Sequence, residues 1–167
     1  ERSMSRTRAI IAGGVITMAV GAAEAGPEKI DYPADWETKF TYVTTKDRHR
    51  GNNVIVDIYA NDVALKSGIG DGPLAPGSKI VMKGTRAKVD AAGQAVLDEK
   101  GRMIKDTASG AITVMEKEPG WGTEYPANLR NGEWEYAVFG PDKVRGTNPT
   151  QSCFECHAAV PGQDFLF

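Results

Sequence analysis

Histidine and cysteine are scarce in this chain, with two of each among 167 residues. A site built from four nitrogen or sulfur ligands is therefore hard to assemble, because both cysteines lie close together and His49 stands far upstream. Neither sign of charge is in excess, since the formal net charge is -2. That excludes the basic footprint of a nucleic-acid binder and any single-sign field that would name an acidic or basic partner. Internal repeats and low-complexity tracts are absent as well, and the length suits one domain with a real core.

What is present begins with the N-terminus. Met4 precedes Arg6 and Arg8, an apolar run from Ala9 to Ala22 follows, and Ala23-Glu24-Ala25 closes it. A charged start, a short apolar middle and an A-x-A exit are the parts of a secretory signal, so residues 1–25 are expected to direct export to the periplasm. Glu1 to Ser3 read as extra upstream sequence. The run falls short of the ~20 apolar residues of a membrane span, and Gly13-Gly14 weakens it as a helix. No stable span is expected, although a retained N-terminal tether stays open. Residues 26–167 are expected to form a single domain, ordered from about Asp31.

Within that domain, Val54 to Tyr59, Lys79 to Lys83, Ala111 to Glu116 and Glu133 to Phe139 are short, β-branched or aromatic runs. Trp134, Tyr136 and Val138 alternate with Glu133 and Glu135, the period-2 pattern of a strand with one side on a core. Asp90 to Gly93 and Asp98 to Gly101 each place Asp first and Gly last, as a type I turn favours. Gly68 to Gly77 and Pro119 to Asn131 read as loops. Helices are fewer: Ala60 to Ser67, with Asn61 or Asp62 as N-cap, and a short one over Cys153 to Ala159. The fold expected is mainly β (α+β), an antiparallel sheet with a few short helices and a C-terminal segment that carries both cysteines.

Both cysteines fall in Cys153-Phe154-Glu155-Cys156-His157, the C-x-x-C-H pattern of covalent haem attachment. Two thiols three residues apart on a helical turn can each form a thioether to a vinyl group on one haem edge. The histidine after the second thiol then falls under the iron as proximal ligand. The pattern predicts one haem c per chain, held by Cys153, Cys156 and His157. The competing readings are a disulfide between the two cysteines, a zinc site completed by His49, or chance. A thioredoxin-like C-x-x-C belongs near a βαβ unit, and none is visible here.

Further residues carry a resemblance: Ile58-Tyr59-Ala60-Asn61, Pro76-Gly77-Ser78 leading into a strand, Gly132-Glu133-Trp134-Glu135-Tyr136, the late haem motif, and the ending Asp164-Phe165-Leu166-Phe167. In this order, from about Tyr32 to Phe167, the layout resembles the cytochrome P-460 family, which includes the beta-sheet cytochromes c-prime. The resemblance implies a mainly antiparallel β domain, often dimeric, with an open iron position that meets small nitrogen species. Members include hydroxylamine oxidisers and nitric-oxide binders. In the oxidisers a strand lysine a few residues after the Gly-Ser/Thr pair, followed by an acid, is covalently linked to the haem ring. Here the ungapped count from Gly77-Ser78 puts Met82 at that position and Lys83 one residue later. One step along a strand turns a side chain to the opposite face, so Lys83 is expected to point away from where Met82 points unless a bulge intervenes.

Met82 then has two readings: a thioether ligand opposite His157, giving a His/Met haem suited to electron transfer, or an apolar filler of the distal wall. Met115 carries the same ambiguity. His49, inside Lys46-Asp47-Arg48-His49-Arg50, reads as exposed, and Trp121, Tyr125 and Trp134 as core or rim aromatics. Three functions follow in order: an electron carrier with a periplasmic redox partner, a binder of nitric oxide or another small ligand, and a hydroxylamine-oxidising cytochrome that would need Lys83.

Overall fold

A computed structural model describes residues 26–49 and 52–167. The export signal expected over residues 1–25 lies outside the described residues. Five strands, β1 (Thr41–Arg48), β2 (Val54–Ala60), β3 (Lys79–Ala87), β4 (Lys105–Lys117) and β5 (Trp134–Phe139), pair antiparallel in chain order. Three short helices accompany them: α1 (Trp36–Lys39), α2 (Asp62–Ser67) and α3 (Gln151–His157). The mainly β fold expected from the sequence is the fold observed.

Strand β1 is the element that alternation did not reveal. Thr41 to Thr45 are good strand formers, but the strand is an edge whose side chains are mostly exposed, so no buried face marks it. Lys46, Asp47 and Arg48 of the polar run form its end. Asp47 accepts two bonds from the Arg102 guanidinium, at 2.7 and 2.9 Å, and a third from the Met103 amide. Helix α2 starts two residues later than expected, because Asn61 caps it: Asn61 Oδ1 accepts from Ala64 N and Lys79 N, and its Nδ2 donates to the Gly77 carbonyl.

Both sheet faces are covered, which alternation in β5 alone did not foretell. On one face Ala60, Ile80, Met115 and Tyr136 pack with Ala64 of α2, Leu74, Trp134 and Phe154 of α3. On the other, Trp36 of α1 and Ile30 pack on Val81, Ile112, Val114, Ala137 and Phe139. Glu135, on the strand side that reads as solvent-facing, is consequently fully buried. Its carboxylate accepts from the Tyr125 hydroxyl and from Tyr136 N, and burial raises its pKa above the ordinary carboxylate range.

The excursion between β3 and β4 turns at the two predicted places. Asp90 and Asp98 each accept from the amides two and four residues ahead, and Gly93 and Gly101 take the left-handed conformation that closes each turn. Among the described residues no helix is long and apolar enough to cross a membrane.

Candidate haem site

Helix α3 presents its three sequence-predicted residues in three different environments. Phe154 points into the core, its ring 4.6 Å from Tyr125 and 4.7 Å from Tyr136. With Phe154 inward, Cys153 is half-buried against the same cluster and Cys156, three residues on, is exposed. Burial pushes the Cys153 thiol up. The helix is held from outside its own turn by Asn131, a buried side chain whose amide donates to the Phe154 carbonyl and to the Tyr136 hydroxyl, both at 3.0 Å.

His157 closes the helix with its ring 5.1 Å from Tyr136 and 5.3 Å from Phe167. Nδ1 lies 2.6 Å from the Phe165 carbonyl oxygen. A carbonyl only accepts, so Nδ1 carries the proton and Nε2 is left with a free lone pair. Burial lowers the His157 pKa, against the opposing effect of the Phe165 bond, and the charge of Arg48 lowers it further. The imidazole is thus neutral, oriented and anchored at its far nitrogen, the arrangement a metal-ligating histidine uses.

The chain after α3 folds back to supply that carbonyl. Asp164 and Phe165 both have positive φ, 51° and 61°. Asp164 is buried, its two oxygens 3.0 and 2.9 Å from Lys117 Nζ, and Oδ2 also accepts from Leu74 N at 2.8 Å. Lys117 in turn stands over the Trp134 ring at 5.7 Å. Gly132, itself at positive φ, lies so close to the Phe165 ring that a Cβ there would meet Cε2 at 3.3 Å.

The sheet face beneath α3 can be read row by row from the strand register. Ala60, Ile80, Met115 and Tyr136 form a fully buried row, so Met115 is a core residue. The next row crosses all five strands as Thr44, Ile58, Met82, Thr113 and Val138, and every member is only partly buried. Ile58 and Met82 pack against the same cluster as Cys153. None of these five side chains ionises.

Lys83 is on the other face. Its ammonium lies 5.8 Å from the Trp36 ring centroid and 4.0 Å from the Glu37 carboxylate, on the side covered by α1. No bulge interrupts β2 against β3, where Ile58 pairs with Met82 and Asp57 with Lys83. The structure therefore brings Met82, but not Lys83, to the face that carries Cys153 and His157. His49 is exposed just beyond β1, Trp121 is half-buried in the α1-side core, and Tyr125 and Trp134 belong to the α3-side core.

A family model described as Cytochrome P460 matches residues 33–167. The chain belongs to the cytochrome P460 family. No curated protein matches the chain. Membership in the cytochrome P460 family implies haem binding, and the residues present fit that group: two thiols one helical turn apart, an imidazole with its outer nitrogen already bonded, and an uncharged row of sheet side chains alongside. Sequence reading missed the Phe165 carbonyl, which holds His157, and the Lys117–Asp164 ion pair in the same tail. It also missed Arg48, whose charge acts on both Cys153 and His157. The only signal for the tail was the Asp164 to Phe167 ending as a family mark, which names no role.

Proposed function

We propose that the protein is an exported cytochrome P460 family member with a single haem c, attached through thioethers at Cys153 and Cys156 and ligated by His157, and that it carries electrons. Bound haem supplies an iron that cycles between ferric and ferrous. The remaining work belongs to the chain. His157 Nε2 is kept as a donor by the bond from Nδ1 to the Phe165 carbonyl, and Phe154, buried between Tyr125 and Tyr136, fixes the turn that spaces the thiols.

The observation that carries the electron-transfer reading is Met82, a thioether in the partly buried row beside Cys153. As an iron ligand together with His157 it would give a His/Met haem, which would raise the reduction potential and close the iron to added ligands. A second reading is the binding of nitric oxide or a comparable small molecule. It is favoured by the other members of that row, since Thr44, Ile58, Thr113 and Val138 offer an uncharged wall to a neutral diatomic ligand. Hydroxylamine oxidation is not supported, because it requires Lys83 at the haem ring and Lys83 lies against Trp36. A periplasmic redox partner and a homodimer are parts of the same proposal, as is export.

Mass spectrometry of the digested holoprotein tests it. The expected haem peptide contains Cys153, Cys156 and His157 and no second segment, and Lys83→Ala leaves the absorption spectrum unchanged. A haem peptide joined to Lys83 would overturn the carrier reading in favour of the oxidiser, and haem-free cysteines would overturn both.

A further inference from the structure

Asp164 and Lys117 are 47 residues apart and form a buried ion pair. A buried pair is weak evidence for stability, because desolvating two charges offsets most of their attraction. A positional role is the better account, and the backbone next to Asp164 says what is positioned. Asp tolerates the left-handed region, but a bulky residue such as Phe165 at φ 61° is an outlier that persists only where its surroundings over-determine it. Three contacts do so. Lys117 and Leu74 N hold the Asp164 carboxylate, Phe165 N donates to the Val160 carbonyl at 3.1 Å, and Gly132 leaves room for the Phe165 ring. The outcome of this conformation is the direction of one carbonyl, which accepts the His157 Nδ1 proton.

We infer that the Lys117–Asp164 ion pair is a positioning device for the iron ligand: it locks residues 164 and 165 in the turn that aims the Phe165 carbonyl at His157. This rests on the reading of His157 as that ligand. The bond it secures places electron density on the imidazole, which stabilises ferric over ferrous iron. Weakening the lock leaves the haem attached but loosens the bond and raises the potential.

The test uses the holoprotein with Asp164→Asn, which keeps an acceptor for Leu74 N but lowers the attraction to Lys117, and with Lys117→Gln as a second variant in case the first does not fold. Lys117→Arg keeps the charge. Two readouts apply: the reduction potential, and the exchange rate of the His157 Nδ1 proton followed by NMR. Expected are a higher potential and exchange faster by roughly tenfold in Asp164→Asn and Lys117→Gln, with Lys117→Arg close to the parent and haem content equal in all. An unchanged potential and exchange rate in a folded, haem-loaded Asp164→Asn or Lys117→Gln variant overturns the inference. His157→Ala separates the two claims: if it leaves the parent's axial-histidine signals in place, the reading of His157 itself has failed.

Discussion

Phe154 is the residue through which the haem-motif helix is fastened to the sheet, and truncating it should show how much of the site depends on that contact. Its side chain is 3% exposed and lies between Tyr125 and Tyr136. Replacing a buried Phe by Ala removes its transfer energy and leaves a cavity, together about 3–5 kcal/mol. The two ring contacts belong to that sum. Against a domain stability of about 5–15 kcal/mol this is a large fraction, and it corresponds to a fall in Tm of about 10 °C for a chain of this size. The loss should be local as well as global. Ala158 N donates to the Phe154 carbonyl, which Asn131 also holds, so the amides of α3 should lose hydrogen-exchange protection before those of β3 and β4. Phe154→Leu, which refills much of the space, should lose less than half as much. The assay is urea unfolding of the holoprotein paired with exchange measured residue by residue. A cost below about 1 kcal/mol for Phe154→Ala, with α3 still protected, would refute the view that this side chain anchors the site.

Other consequences follow from the charged groups. The Arg102 guanidinium and the Met103 amide hold the Asp47 carboxyl down to about 2, so Asp47 stabilises the fold above its ordinary pKa of 3.8 and this contribution disappears as pH falls from there towards 2. With Arg102 half exposed, the contribution is about 1 kcal/mol; Asp47→Asn should lose that much at pH 7 and only a small part of it at pH 2, measured by urea midpoints, and equal losses at both pH values would contradict it. Glu135 is shifted the other way by burial, so its neutral form favours the fold and stability should decline as pH rises above the ordinary carboxylate range. Glu135→Gln should flatten that decline in thermal melts, and a parallel pH profile would count against it. Gly132→Ala should destabilise the tail, through both its positive φ and the 3.3 Å approach to Phe165, visible as faster exchange at Phe165 N.

Much of the site was legible because its chemistry is local. The C-x-x-C-H spacing is a property of five consecutive residues of one helix, and the one-residue offset between Met82 and Lys83 decides their faces by the two-residue period of a strand. The strands β2 to β5 declared themselves through β-branched and aromatic runs. Other features depended on partners far along the chain. Nothing near β5 announces that Trp36 and Ile30 cover its second face, so Glu135 read as solvated when it is buried. Strand β1 exposes most of its side chains and therefore carries no alternation to read. The support of His157 comes from a carbonyl, a backbone group with no signature in sequence, and from an ion pair closed across 47 residues.

The central claim is that Met82 rather than Lys83 shares the haem's side of the sheet and completes its iron opposite His157. The absorption spectrum of the purified protein, ferric and dithionite-reduced, before and after carbon monoxide, tests it most directly, with Met82→Ala alongside. A low-spin ferrous spectrum unmoved by the gas in the parent, turning gas-sensitive in Met82→Ala, is the predicted result. A high-spin parent spectrum that shifts on adding the gas would contradict it and leave an open iron suited to small-ligand binding.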